Sequence, residues 1–180
     1  MAIMFYNSPQ FGIVLDADSL NRICKIPGVI GVKEASFDRT ISIKSHQLIG
    51  GKSIISIPDE WILFAGDEIG FQQQVMFANT SDWRFDKQGS NHYVSFVERA
   101  MSGDLDKAYY EKHVKPIKAI SDNWWQRVVA EQKGAMPVPL CKYWGELMGM
   151  TGGSVRSPLV DMSNSDKNEL KNQLDNIFRK

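Results

Sequence analysis

Gly28-Val29-Ile30-Gly31-Val32-Lys33-Glu34-Ala35-Ser36 is the stretch on which the fold turns. Small and β-branched residues over 28–32 form a short apolar strand, and that strand closes on a lysine. An ammonium at the end of a buried parallel strand loses hydration, which disfavours its charged form and biases it toward the neutral amine. A neutral amine attacks ketone carbonyls to give a Schiff base, the covalent device of metal-free aldolases and of some dehydratases. The plain alternative is a lysine whose stem covers apolar surface while its head stays in water.

Toward the N-terminus, Ala2-Ile3-Met4-Phe5-Tyr6-Asn7 reads as a second buried strand with a chemically able side chain at its end, followed by Ser8-Pro9-Gln10-Phe11-Gly12. Between the two strands lies one helix-length stretch, 16–25, with Asp18 or Ser19 as N-cap and Leu20, Ile23 and Cys24 at helical spacing. Strand, helix and strand make a βαβ unit, so the strands run parallel and Tyr6 and Lys33 share the face where α/β barrels and open α/β sheets place their chemistry.

Together, Phe5-Tyr6-Asn7-Ser8-Pro9, Gly12 and the run from Pro27 to Ser36 resemble the dihydrodipicolinate synthase and N-acetylneuraminate lyase family of class I aldolases. That family carries a YNxP strand end followed by a G(I/V)K strand end. The Tyr6-to-Lys33 spacing, 33 − 6 = 27 residues, is one fewer than expected for the synthases, and the loop at Gln10-Phe11 absorbs the gap. The resemblance continues: 53–57 is similar to the seventh barrel strand, and 73–79, ending in Ala78-Asn79, to the eighth. Pro137-Val138-Pro139-Leu140-Cys141-Lys142, Gly149-Met150 and Val155-Arg156-Ser157-Pro158-Leu159 resemble the terminal helical region.

The implied fold class is α/β: the second half of a TIM (β/α)8 barrel, four βα units with parallel strands, followed by a C-terminal helical region. A complete barrel needs roughly 250 residues, whereas this chain has 180, so Met1 is expected at the start of the fifth strand. The expected division is 1–91 for the half-barrel and 92–180 for the helices. The first four units would bring the loop resembling Gly-Thr-Thr-Gly, which holds the keto acid carboxylate, and a second tyrosine of the proton relay.

By the same resemblance Lys33 and Tyr6 are the catalytic pair, the amine attacking C2 of a 2-keto acid and the phenol shuttling protons. Strand alternation sends Val29, Gly31 and Lys33 inward together with Ala2, Met4 and Tyr6, Gly31 leaving room for a substrate. Gln73 and Gln74, on the strand that approaches the keto acid, Asn79 at its end, and Arg84 are the expected substrate-binding residues. An exposed Arg84 between Trp83 and Phe85 offers a guanidinium to a carboxylate; the alternative is a solvated loop. Glu34, next to Lys33, points to the opposite face and is expected to cap or pair outside the barrel.

The expected function is a Schiff-base-forming lyase acting on pyruvate or another 2-keto acid, with no cofactor. The alternative is a catalytically silent fragment or an interaction protein built on a half-barrel. Gln10-Phe11-Gly12 stands where the synthases place an arginine, and Gln73-Gln74 where they carry small or branched apolar residues. These departures argue against the lysine-biosynthesis enzyme itself and leave sugar-acid lyases, keto-deoxy-sugar-acid dehydratases and aryl-pyruvate aldolases open.

The remaining sequence narrows the class. Basic and acidic residues balance at 21 each, which removes the electrostatic case for nucleic acid or an anionic membrane. No apolar run approaches the ~20 residues of a membrane span, and the N-terminus lacks a secretory pattern, so the cytoplasm is the expected location. Cys24 and Cys141 read as small buried hydrophobes. His46, His92 and His113 sit on different elements without carboxylates at ligand spacing, so no metal site is expected. After a polar insertion at 80–91, helices are expected at 93–101, 105–132, 140–148 and 166–178, with Trp124, Trp125 and Trp144 as packing residues. The strands beginning at Ile3 and Gln73 would leave unpaired edges, so the chain is expected to form a homo-oligomer or to pair with a complementary half-barrel.

Overall fold

The structure, a computed structural model, describes residues 1–9, 12–57, 60–71, 75–76, 84–131 and 137–179. Strands and helices alternate as β1 (Ile3–Asn7), α1 (Ala17–Ile23), β2 (Val29–Glu34), α2 (Arg39–Ile49), β3 (Ile54–Ile57), α3 (Trp61–Ile69) and β4 (Val75–Met76). The strands form one parallel sheet in the order β1-β2-β3-β4. Consecutive parallel neighbours joined by helices require that the hydrophobic stripe of each helix return to the sheet. Leu20, Val32, Ile49, Ile55 and Ile62 are all buried there, each contributing about 1.5–3 kcal/mol by leaving water.

Local chemistry sets the boundaries. Asp16, with extended backbone, caps α1 by accepting a hydrogen bond from the Ser19 amide at 2.7 Å. The cap is therefore Asp16 rather than Asp18 or Ser19; Asp18 lies inside the helix and pairs with Lys44 of α2 at 2.5 Å. Asp38 caps α2 through the amides of Thr40 and Ile41, at 2.8 and 3.3 Å.

Two features at β2 differ from simple alternation. Ile3 pairs with Val29 but Met4 with Gly31, so Ile30 is an extra residue and the strand is bulged. The parity expected to run from Val29 through Gly31 to Lys33 is broken at that point. A Cβ on Gly31 would stand 2.2 Å from the carbonyl oxygen of Ile54 on β3. Close approach of the neighbouring backbone explains this glycine, where the sequence reading had assigned it to substrate space.

Phe37, just beyond β2, adopts φ 65° while 63% of it is exposed. A bulky residue in the left-handed region is strained by about 1–3 kcal/mol. Phe37→Gly is expected to raise stability by about 1 kcal/mol once the extra backbone entropy of glycine is subtracted. Urea unfolding reads the change, and Phe37→Ala, still strained, should show little of it.

Two compact units result: Met1–Ala78 with Ala100–Leu105, and Asn79–Arg99 with Asp106–Lys180. Among the described residues, 84–91 group with the helices. The second unit is built from α4 (His92–Met101, whose last two residues group with the first unit), α5 (Lys107–Tyr109), α6 (Lys115–Glu131), α7 (Val138–Leu147) and α8 (Asn164–Phe178). Between α5 and α6 the chain makes a π-helical turn at Tyr110–Val114, inside what the apolar stripe had marked as one helix over 105–132. Phe96, Ile117, Trp124, Leu140, Trp144 and Leu170 form its core. The buried indoles find partners, Trp124 Nε1 donating to Gln173 Oε1 at 2.7 Å and Trp144 Nε1 to the Arg84 carbonyl at 2.9 Å. Among the described residues no helix is long and apolar enough to cross a membrane.

Candidate active site

Tyr6 and Lys33 occupy the C-terminal ends of β1 and β2 and are register partners. In a parallel pair, residues in register project to the same face. The Lys33 Nζ accordingly lies over the Tyr6 ring, 4.3 Å from its centroid, a cation–π contact that holds the amine against the phenol-bearing side chain. Both residues are half-buried. Ser56 of β3 is the register partner of Lys33 on its other side and is buried.

The opposite face of the same strand ends is tied down by hydrogen bonds. Glu34, 1% exposed, accepts from the Ser36 amide at 2.8 Å and from Asn7 Nδ2 at 3.4 Å, and its other oxygen accepts from the Ser42 hydroxyl on α2. The sequence expectation that Glu34 caps or pairs away from Lys33 matches this arrangement. Asn7 also spans the following loop, its Nδ2 donating to the Leu15 carbonyl at 3.0 Å and its Oδ1 accepting from the Leu15 amide at 2.9 Å. The Ala35 amide donates to the Asn7 carbonyl at 2.9 Å. A buried carboxylate needs such partners to offset its lost hydration. Sequence reasoning missed the Asn7–Glu34 connection, although an asparagine at a strand end is the available signal, because that side chain readily bonds nearby backbone.

Gln73, Gln74 and Asn79 lie outside the described residues. Arg84 is not exposed: it is buried to 2% in the second unit. Its guanidinium carbon stands 4.8 Å from the Trp125 ring centroid and 5.4 Å from that of Trp144. A planar, weakly hydrated cation stacks on aromatic faces at low desolvation cost, which explains how this arginine is accommodated inside a helical core. Burial raises the pKa of the Cys24 and Cys141 thiols, and neither is in a disulfide, so neither is an activated thiolate. Among the described residues no group of three or more His, Cys, Asp or Glu side chains is placed to hold a metal.

The sequence profile of the Dihydrodipicolinate synthetase family matches residues 1–177. The chain belongs to that family. The 4-hydroxy-tetrahydrodipicolinate synthase of Anaplasma marginale (strain Florida) is 25% identical over 179 residues, covering 97% of this chain and 52% of the synthase. A probable 5-dehydro-4-deoxyglucarate dehydratase 2 of Streptomyces coelicolor is 24% identical over 161 residues, covering 86% of this chain and 44% of the dehydratase. In structure, the Proteus mirabilis N-acetylneuraminate lyase superposes with a TM-score of 0.65 at 22% identity, covering 98% of this chain and 55% of the lyase chain. Dihydrodipicolinate synthase from Thermotoga maritima superposes with a TM-score of 0.68 at 22% identity, covering 98% and 56%. The fold is therefore that of TIM-barrel members of a family of Schiff-base lyases, and the chain spans about half the length of the curated relatives it matches.

Proposed function

We propose that this chain supplies the catalytic half of a Schiff-base lyase acting on pyruvate or another 2-keto acid. The observation that carries the reading is the amine of Lys33 lying 4.3 Å from the Tyr6 ring centroid, on register partners at two parallel strand ends. Unprotonated Nζ attacks C2 of the keto acid, and the carbonyl oxygen takes a proton to give a carbinolamine. Loss of water leaves the imine, whose electron withdrawal lets the neighbouring carbon–carbon or carbon–oxygen bond break or form. Tyr6 is the proton carrier for the carbinolamine oxygen, being on the adjacent strand and bearing a group that both donates and accepts.

On this reading the four parallel strands are the second half of a (β/α)8 barrel, with Gln73, Gln74 and Asn79 on the substrate side by family resemblance. Arg84 is stacked within the helical unit. Met4 is 42% and Ile3 43% exposed on the outer strand β1. Apolar side chains left in water on an outer strand support closure by further strands, from a longer polypeptide, a complementary half-barrel or a second copy of this chain.

Incubation with pyruvate and borohydride, read by intact mass and peptide mapping, tests the proposal. A reduced adduct on Lys33 is the expected outcome. No adduct at millimolar pyruvate would overturn it and leave a catalytically silent member of the family.

A further inference from the structure

The second unit holds a cavity of about 590 Å³ that has no part in the imine chemistry. Its volume is that of a site for a small organic molecule, which lies between about 300 and 1,000 Å³. Phe85, Ile117, Ile177 and Phe178 give it an apolar wall, and Lys112, His92 and His113 bring positive or protonatable groups to it. No aspartate or glutamate is among its described lining residues. Ion pairs on the same helical run join Lys115 to Glu111 and Lys118 to Asp122, leaving Lys112 outside them.

The imidazoles are arranged rather than scattered. His92 and His113, 21 residues apart in sequence, stack with ring centroids 4.2 Å apart and an interplanar angle of 22°. His92 Nδ1 is 2.7 Å from the Tyr109 hydroxyl, which orients its ring. Lys112 and His113 both belong to the π-helical turn, a local distortion that is rare in helices and concentrated at functional sites. Both of these side chains of the turn line the cavity.

We propose that this cavity binds a small carboxylate with an apolar or aromatic body, the carboxylate meeting Lys112 and the histidine pair and the body lying along Ile117, Ile177 and Phe178. Charge selection follows from the lining, because a carboxylate makes charge-assisted hydrogen bonds to Lys112 and the histidine edge that a neutral ligand cannot. A pH dependence follows too. Burial, then His92 and then Lys112 lower the pKa of His113, so the empty cavity favours its neutral form. An anion reverses that preference, and binding tightens as pH falls through the histidine range. Other charged groups near the cavity, among the described residues, include Lys87, over the Phe178 ring at 4.1 Å, Asp175 of α8, which is held by Lys171 and Arg179 at 2.7 and 2.9 Å, and Asp86, which accepts from the amides of Tyr93 and Val94 at 2.9 and 2.8 Å. Beside Tyr109, Arg99 pairs with Asp106 at 3.2 Å.

The test uses 4-phenylbutyrate as probe, with 4-phenyl-1-butanol as its neutral counterpart, titrated calorimetrically into the 180-residue chain. Having no ketone, the probe cannot form an imine, so its binding is read independently of Lys33 chemistry. Saturable binding is expected, about tenfold tighter than for the alcohol, tightening between about pH 7.5 and about pH 5.5. Lys112→Gln should weaken it about tenfold, and His113→Gln should flatten the pH dependence, both with unchanged unfolding midpoints. Equal affinity for the alcohol, affinity unaffected by both variants, loss of binding in Lys33→Arg, or no saturable binding at about 10 mM would each overturn the proposal.

Discussion

Lys33→Arg is expected to reduce adduct formation with pyruvate and borohydride to background while leaving the fold intact. Arginine keeps a permanent positive charge and a planar group able to cover the Tyr6 ring, so the cation–π contact, about 0.5–2 kcal/mol, survives. What it lacks is a lone pair, because the guanidinium stays protonated at any working pH. Intact mass should show no gain, and unfolding should shift by no more than about 0.5 kcal/mol. An adduct that persists would place the imine on another lysine and remove Lys33 from the mechanism. Tyr6→Phe makes the complementary cut, since it keeps the ring beneath Nζ and removes only the hydroxyl. Imine formation should slow by about 10²–10⁴-fold without losing its end point. An unchanged rate would show that protons travel by another route.

Gly31→Ala should be the most damaging single methyl in the first unit. The added Cβ would sit 2.2 Å from the Ile54 oxygen and 2.8 Å from the Ile54 Cβ, and its first obstacle is backbone, which cannot rotate aside as a side chain can. Overpacking costs typically 1–3 kcal/mol; with β2 and β3 forced apart, about 3 kcal/mol or more is expected. Because Lys33 lies two residues further along β2 and pairs with Ser56 of β3, the same change should slow adduct formation as well. Urea unfolding and the trapping rate read the two effects separately. A variant as stable as the parent would mean that the close contact of β2 and β3 does not persist in solution.

How far the sequence was legible depended on how local the determining physics was. The βαβ register could be read because apolar strands ending in Tyr6 and Lys33 are separated by one helix, and parallel connection then fixes which face they share. Glu34 was placed correctly by strand alternation alone. The parity of Val29 was misread because alternation does not show a bulge at Ile30 in the pairing of β1 with β2, and the space at Gly31 was misread because the backbone that fills it, at Ile54 of β3, lies 23 residues further along the sequence. Arg84 was misjudged for a similar reason: a short polar stretch suggests exposure, while the indoles that enclose the guanidinium, Trp125 and Trp144, arrive from α6 and α7. The stacked histidines were invisible because nothing in the apolar stripe over 105–132 announces a π turn. In each case the missing information lay in a contact distant along the chain.

Asn7 carries a consequence for how this scaffold diversifies. Its amide grips the backbone of Leu15 in both directions and reaches Glu34 below, so the chain that follows β1 is anchored at Leu15 by bonds from the strand end. The 82%-exposed Ile13 can therefore be exchanged without dislodging the neighbouring tyrosine. On the proposed imine chemistry, selection can then redraw molecular preference beyond the strand end while the Tyr6–Lys33 pair is inherited unaltered.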